Sequence, residues 1–85
     1  MSMRILYFAW VRQRVGRGEE QAEPPGYVAT VADLISWLKS RDEGYEAAFA
    51  DLKAIRAAVD QEHVGLDHPL AGAREVAFFP PATGG

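Results

Sequence analysis

The sequence predicts a two-layer α+β domain, in which one main helix covers one face of a small β-sheet. Residues 3–9 and 75–79 are rich in β-branched and aromatic side chains, and residues 55–60 alternate between inward and outward positions, so all three are predicted strands. Residues 30–41 carry the clearest amphipathic helical pattern. Because the chain has 85 residues, it has room for a single small domain.

The first strand leads into a short helix and then into a weak strand. Within residues 3–9, alternation points Ile5 and Tyr7 toward the core. Residues 10–16 change to a helical period and end on a glycine that can adopt the left-handed conformation. Residues 18–23 are the weakest assignment, an edge strand that ends at two prolines.

The main helix has start signals as well as an apolar stripe. Thr30 is the predicted N-cap, and Asp33 suits the positive end of the helix dipole. The stripe follows the spacing i, i+3, i+4, i+7 and consists of Val31, Leu34, Ile35 and Leu38. Tyr45 and Phe49 indicate a further helical turn before the second half of the sheet.

The second half of the chain completes the sheet. Residues 55–60 and 63–66 predict the two arms of a hairpin, and residues 67–74 form a loop with turn residues before the last strand. In the last strand, alternation points Val76 and Phe78 inward.

Strand parity also predicts an apolar patch on the outward face of the sheet. Leu6, Phe8 and Phe79 point away from the main helix, with Ala77 and His63 beside them. If the first and last strands are neighbours, these side chains form one exposed patch at the root of the C-terminal segment, and such a patch usually marks a partner-binding site. The alternative is that one of the rings folds over the sheet edge and packs internally.

Composition and charge exclude several classes of function. The net charge is −3 and the positive residues are scattered, which argues against a nucleic-acid binder with a broad basic face. The absence of cysteine removes disulfides, thiol catalysis and thiolate metal sites. The longest apolar run, at 5–11, is too short to span a bilayer, so we expect a cytoplasmic protein that does not enter the membrane.

The interior of the sequence carries no convincing catalytic or metal-binding constellation. His63 and His68 lack partner ligands at metal spacing, so no metal site is expected. The acidic residues at 42–46 are typical of a solvated helix start, and the glycines at 16–18 lack the setting of a phosphate-binding loop. We therefore expect no bound cofactor and no catalytic machinery in the chain alone.

The chain closes on "FFPPATGG" at residues 78–85. Proline fixes φ and biases its predecessor toward extended geometry, so Pro80 and Pro81 should direct the end of the chain away from the sheet. Residues 80–85 can then reach roughly 20 Å, at about 3.3 Å per residue. The sequence thus predicts a domain at 1–79 followed by a flexible, protruding tail.

Two terminal glycines give the end of that tail the smallest possible cross-section. Without side chains, Gly84 and Gly85 could enter a narrow enzyme channel as far as the α-carboxylate. The alternative is an ordinary frayed terminus, since chain ends are often disordered. The combination of an aromatic strand, a rigid exit and a Gly-Gly end, with no catalytic group elsewhere, favours a functional tail.

Several segments together resemble a known family. The segments "ILYFAWVRQRVG" at the start, "AAVDQ" before the hairpin turn, "LDHPL" in the following loop and "VAFFPPATGG" at the end are similar to the small, sulfur-carrier subunit of molybdopterin synthase, the MoaD family. The resemblance covers nearly the whole chain and is weakest at residues 19–29. It implies a β-grasp, ubiquitin-like fold, with a small mixed sheet covered by one main helix.

The resemblance also implies a mechanism. An E1-like enzyme would adenylate the carboxylate of Gly85 with ATP, the product would become a thiocarboxylate, and the tail would then enter the large synthase subunit and give its sulfur to cyclic pyranopterin monophosphate. Gly84 and Gly85 match the family's motif residue for residue, while Pro80, Pro81 and Thr83 match as positioning residues of the tail. The chain would therefore count as an enzyme subunit only in that complex.

Two alternatives remain open at this point. Another sulfur carrier, for thiamine or for tRNA thiolation, would use the same chemistry with a different acceptor, although the Pro-Pro step favours molybdopterin over thiamine. A ubiquitin-like module would use the Gly-Gly end to form an isopeptide bond, or would act by binding alone.

Overall fold

Five strands and three helices form the fold, and the computed structural model describes them over residues 2–81. In chain order the elements are β1 (Met3–Tyr7), α1 (Ala9–Val15), β2 (Glu19–Ala22), α2 (Val31–Lys39), α3 (Glu43–Ala48), a 3-10 turn (Leu52–Ala54), β3 (Arg56–Val59), β4 (Glu62–Val64) and β5 (Glu75–Phe79). The strands lie in the order β2-β1-β5-β3-β4. β1 and β5 are parallel and the other pairs are antiparallel, so the predicted α+β class is confirmed.

Local signals in the sequence explain where the helices begin and end. At the start of α2, the backbone N–H of Asp33 donates to Thr30 Oγ1 at 3.1 Å, and the N–H of Thr30 donates to Asp33 Oδ2 at 3.1 Å. This capping box satisfies two of the N–H groups that a helix start leaves without partners. α1 ends at Gly16, whose φ of 92° lies in the left-handed region, as predicted.

The predicted strands are confirmed, with bounds that differ by one or two residues at several ends. β5 has the predicted bounds, whereas β4 begins at Glu62, one residue earlier than predicted, and ends at Val64. The weak strand at 18–23 is β2, an edge strand paired with β1, and the hairpin arms are β3 and β4. The first strand ends at Tyr7 rather than at residue 9, because Phe8 is already the N-cap of α1. Asp60 and Gln61 form the hairpin turn with φ of 49° and 72°, a left-handed pair that fits the twist of a two-residue loop.

The core lies between the inner face of the sheet and the helices. The sheet contributes alternate strand residues, all at most 7% exposed: Ile5, Tyr7, Ala57, Val59, Val76 and Phe78. The whole predicted stripe of α2 is buried against them, which confirms the main helix as the principal cover. Phe78 sits at the centre of this core, with the ring of Phe49 edge-on at 5.0 Å and the ring of Tyr7 stacked at 6.3 Å.

One carboxylate joins β2 to β1 and to the helices. Glu20 Oε2 accepts a hydrogen bond from the Tyr7 hydroxyl at 2.7 Å and another from the Tyr45 hydroxyl, and Oε1 lies 3.3 Å from a guanidinium nitrogen of Arg17 and of Arg41. The Glu20 side chain is 6% exposed. A buried charge is tolerated when it is paired and hydrogen-bonded, and Glu20 is both. This cluster was not predicted from the sequence.

The environment of Glu20 shifts the pKa values of the cluster. Burial alone would raise the pKa of Glu20, but hydrogen bonds from Tyr45 and Tyr7 and the charges of Arg41 and Arg17 together lower it. Burial, and then hydrogen bonding to the carboxylate, raises the pKa of both tyrosines. Glu20 is therefore ionised in the folded protein at neutral pH, while both tyrosines stay protonated and donate to it.

Candidate partner-binding face and tail root

The outward face of the sheet carries an apolar patch at the end where β5 finishes. Strand register places Leu6 beside Ala77, Ala77 beside Ala58, and Ala58 beside His63. Phe8 continues from β1 alongside β5, since its backbone N–H donates to the carbonyl of Phe78 at 3.1 Å. Together with Phe79, the apolar members of this group form what we call the tail-side patch: Leu6, Phe8, Ala58, Ala77 and Phe79.

The tail-side patch is separate from the core. Ala58 and Ala77 are each 7% exposed, yet neither belongs to the buried cluster between the sheet and the helices. Phe8 is 49% exposed, and Leu6 and Phe79 are half-buried. The alternative expectation, that one of the aromatic rings packs internally, is therefore wrong for Phe8 and Phe79.

The patch includes one residue that the sequence analysis did not assign to it. Ala58 lies at its centre, between Ala77 and His63. His63 is exposed at the border, and its ring centroid lies 5.1 Å from that of Phe79. The predicted set of Leu6, Phe8, Phe79 and His63 is thus brought together on one face, while its role in binding stays a prediction.

The root of the tail adjoins the tail-side patch directly. β5 ends at Phe79, and Pro80 and Pro81 follow as half-buried residues. The predicted Thr83, Gly84 and Gly85 lie outside the described residues. The division into a domain at 1–79 and a tail at 80–85 also stays a prediction.

The two ends of the outward face differ in their charged groups. At the end away from the tail, Arg4 Nη2 lies 2.7 Å from Glu75 Oε1, and Asp60 Oδ1 accepts the backbone N–H groups of Arg74 and Glu75 at 3.0 Å each. At the tail end, Arg56 is opposite Phe79 in the register of β3 and β5. At the far end Arg4, Glu75 and Asp60 are thus paired within the chain, whereas the tail end presents apolar surface and a guanidinium.

Within residues 2–81, no group of three or more His, Asp or Glu side chains could hold a metal ion. None of the helices there has the length and apolar content needed to cross a membrane.

Comparison with known proteins places the sequence in a family. Residues 5–85 match the ThiS family. The chain is 40% identical over 83 residues to the molybdopterin synthase sulfur carrier subunit of Escherichia coli, covering 98% of this chain and 99% of that protein. It is 33% identical over 88 residues to the protein of the same name from Mycosarcoma maydis, covering 99% and 94% of the two chains.

Comparison with solved structures agrees on the fold. The crystal structure of SAMP1 from Haloferax volcanii superposes with a TM-score of 0.76 at 26% identity and covers 100% of both chains. The strand order and the helix-covered sheet are those of the ubiquitin-like β-grasp fold, as the resemblance implied.

Proposed function

Since the chain belongs to the ThiS family and, within it, to the sulfur carrier subunits of molybdopterin synthase, we propose that its terminal carboxylate carries sulfur for molybdopterin synthesis. The observation that supports this most is the placement of the tail root. β5 ends at the surface on Phe79, two prolines follow beside an apolar patch, and the sequence then runs out through Gly84 to Gly85. A partner that binds the patch would therefore lie next to the root of the tail and could bind the tail as well.

The chemistry proposed at Gly85 proceeds in two steps. A carboxylate is a poor electrophile, so its oxygen first attacks the α-phosphate of ATP, giving an acyl adenylate and releasing pyrophosphate. A sulfur nucleophile, supplied by a persulfide-class donor, then adds to the acyl carbon. AMP leaves, the donor's sulfur–sulfur bond is reduced by a thiol, and the chain ends in a thiocarboxylate.

In the next reaction the thiocarboxylate sulfur bonds to a carbon of cyclic pyranopterin monophosphate inside the large synthase subunit. Water then cleaves the bond between that sulfur and the acyl carbon and supplies the oxygen that returns Gly85 to a carboxylate. Pro80, Pro81 and Thr83 position the tail in that channel, and Gly84 keeps it narrow. Proton transfer and substrate binding fall to the large subunit. The chain itself holds no cofactor in this scheme, and ATP is used by the activating enzyme.

We assign partner binding to the tail-side patch, bordered by His63. The E1-like activating enzyme and the large subunit both need the tail, so both dock on this face and compete for it. Aromatic side chains at the centre of an interface commonly dominate its affinity, and Phe8 and Phe79 are the aromatic members of the patch. The scheme involves neither nucleic acid nor membrane and places the protein in the cytoplasm.

A second candidate function is favoured by the solved structures. One close structural match is described as small archaeal modifier protein 1 of Haloferax volcanii, with a TM-score of 0.75 at 26% identity. A modifier of this fold would join its activated terminal glycine to a lysine amine rather than to sulfur. The two functions share activation at Gly85 and differ in the nucleophile that takes the acyl group.

Reconstitution tests the proposal against this second candidate. The chain carrying a terminal thiocarboxylate is mixed with its own large subunit and cyclic pyranopterin monophosphate, and molybdopterin is measured. The same chain with an ordinary carboxylate is the matched control. Product from the thiocarboxylate form alone is the expected result, and no product from either form would contradict the proposal.

A further inference from the structure

Arg56 places a charged side chain in the same row of the sheet as Phe79. β3 and β5 pair with Arg56 directly opposite Phe79. The sequence neighbours Ile55 and Ala57 are 2% and 1% exposed on the inner face, so alternation directs the Arg56 side chain outward. The tail-side patch therefore has a guanidinium at its border, beside the root of the tail.

The backbone holds this guanidinium in place. Arg56 Nη1 donates to the carbonyl oxygen of Lys53 at 3.1 Å and to that of Ile55 at 3.0 Å. These two bonds use both protons of Nη1. Within residues 2–81, the opposite edge of the group, formed by Nε and Nη2, makes no hydrogen bond and Arg56 joins no ion pair.

Three of the six other arginines form ion pairs within the described residues, unlike Arg56. Arg4 is paired with Glu75, and Arg17 and Arg41 are both paired with Glu20. Those guanidinium groups serve contacts inside the domain. Arg56 instead keeps its Nε–Nη2 edge available at the surface where the proposed partner docks.

The Nε–Nη2 edge of Arg56 is suited to bind a carboxylate. An arginine fork presents two parallel N–H groups that match the two oxygens of a carboxylate. Because Nη1 is already held by two carbonyls, less side-chain freedom remains to be lost when the partner binds. A protein that covered Arg56 with apolar groups alone would bury an unpaired charge, which is strongly unfavourable.

We propose that the Nε–Nη2 edge of Arg56 binds an Asp or Glu carboxylate of the molybdopterin synthase large subunit. The partner surface then has a stated chemistry: apolar side chains over Phe8 and Phe79, and one carboxylate opposite Arg56. The inference rests on the proposed function, because it takes the large subunit to be the protein that docks on the tail-side patch. Its role is to fix the docking register and to select against partners without that carboxylate.

Charge-reversal variants test this contact in the full chain with its own large subunit. The dissociation constant is measured by calorimetry at low and moderate salt. Arg56→Glu should weaken binding by about thirty-fold or more, and Arg56→Lys, which keeps the charge but not the fork, by about five-fold. Arg74→Glu makes the same charge change at the far end of the sheet, near Arg4 and Glu75, and should alter affinity by no more than about two-fold.

Two further measurements, thermal stability and the salt dependence of binding, show whether a loss of affinity comes from the lost contact or from a damaged fold. Thermal melts of every variant report whether the fold survives. If Arg56→Glu melts early, Arg56→Met takes its place, since methionine keeps an unbranched apolar side chain that covers the aliphatic part of arginine, and it should bind about ten-fold more weakly with a reduced salt dependence.

Each outcome separates this inference from the proposed function. Selective weakening by the Arg56 variants supports the contact. Wild-type affinity in Arg56→Glu, or an equal loss in Arg74→Glu, overturns the inference and leaves the proposed function standing. If the wild-type chain itself does not bind the large subunit, the proposed function fails, and the inference fails with it.

Discussion

Both faces of the sheet carry apolar side chains, but only those of the inner face belong to the buried core. On the inner face, Phe78 is fully buried between Tyr7 and Phe49, under helices that the chain itself supplies. On the outward face, the next residue, Phe79, is half-buried and lies outside that core. Of two adjacent aromatic residues in β5, Phe78 thus belongs to the core and Phe79 belongs to the tail-side patch.

The difference explains why the outward face is apolar. Removing apolar area from water contributes about 25 cal/mol per Å², so the inner face stabilises the fold as soon as the helices dock. The tail-side patch lies outside that core, and under the proposed function a partner would bury the exposed parts of Phe8 and Phe79. We infer that selection for folding shapes the inner face, whereas selection for partner binding shapes the outward one.

The largest expected effect comes from blocking the tail. Adding one alanine after Gly85 should abolish molybdopterin synthesis, because the reactive group is the terminal carboxylate. The fold should be unaffected, since the core lies entirely between other residues. Reconstituted synthesis measures activity, and a thermal melt measures stability.

The matched control adds one alanine before Met1, which should leave activity unchanged. Mass spectrometry confirms that the added residues are not removed. Sustained synthesis by an unprocessed C-terminal extension would show that Gly85 is not the carrier.

The next effect is expected on the inner face. Leu34→Ala should lower the free energy of unfolding by roughly 2–5 kcal/mol, because Leu34 is fully buried in the middle of the α2 stripe and its loss leaves a cavity. Removing residues 80–85 should cost far less. Denaturant melts of the two variants compare the contributions, and equal losses would mean that the tail packs as part of the fold.

A single ring on the outward face should affect binding rather than folding. Phe79→Ala is expected to weaken binding to the large subunit and to the activating enzyme by about 2 kcal/mol or more, with a nearly unchanged melting temperature. Phe78→Ala is the matched comparison, because it removes the same ring from the core and should destabilise by about 3–5 kcal/mol. Calorimetric titrations and melts are the measurements.

Either of two results would remove Phe79 from the proposed interface. One is full affinity of Phe79→Ala for both partners. The other is a stability loss as large as that of Phe78→Ala, since the ring would then belong to the core.

The smallest effect concerns the Glu20 cluster and its pH dependence. The folded protein lowers the pKa of Glu20 below its ordinary value of 4.5, so the carboxylate contributes stability above that value and loses it as the pH falls through the folded pKa. Glu20→Gln should therefore be about 1–3 kcal/mol less stable at pH 7, by the usual worth of hydrogen bonds to a charged group. The deficit should shrink in acid.

Urea melts of Glu20→Gln and wild type between pH 7 and acid measure that difference. The stability gap should narrow as the pH drops below about 4.5, where unfolded glutamate takes up a proton. A difference in the free energy of unfolding that stays constant over this range would show that the charge of Glu20 does not contribute to stability. Backbone hydrogen bonds from Ala29 and Thr30 also lower the pKa of Asp33. Because Asp33 is present in both proteins, its contribution cancels from the stability difference.

Much of the fold could be predicted because its signals are local. The stripe of α2, its capping box at Thr30 and the left-handed Gly16 depend on residues within one or two helical turns of each other. Alternation likewise predicted the inward Phe78 and the outward Phe79. That the first and last strands are neighbours was implied by the family resemblance, since periodicity does not define strand order; their parallel direction is seen in the structure.

The features that were missed depend on contacts between distant segments. Glu20 meets Tyr7 and Tyr45, which lie 13 and 25 residues away in sequence, so the weak strand that carries it showed no sign of a buried carboxylate. The position of Arg56 beside Phe79 similarly follows from the register of β3 on β5. An alanine by itself does not mark a binding surface, and only the strand register reveals that Ala58 lies at the centre of the patch.

The central claim is that the end of this chain carries sulfur, and intact-mass spectrometry tests it most directly. The protein is incubated with its own E1-like enzyme, ATP and a sulfur donor, with ATP omitted from the control. We expect the ATP-containing sample alone to gain the mass that replaces one oxygen by sulfur, located at Gly85 by fragmentation. An unchanged mass with an active enzyme, or a sulfur located anywhere else in the chain, would contradict the account.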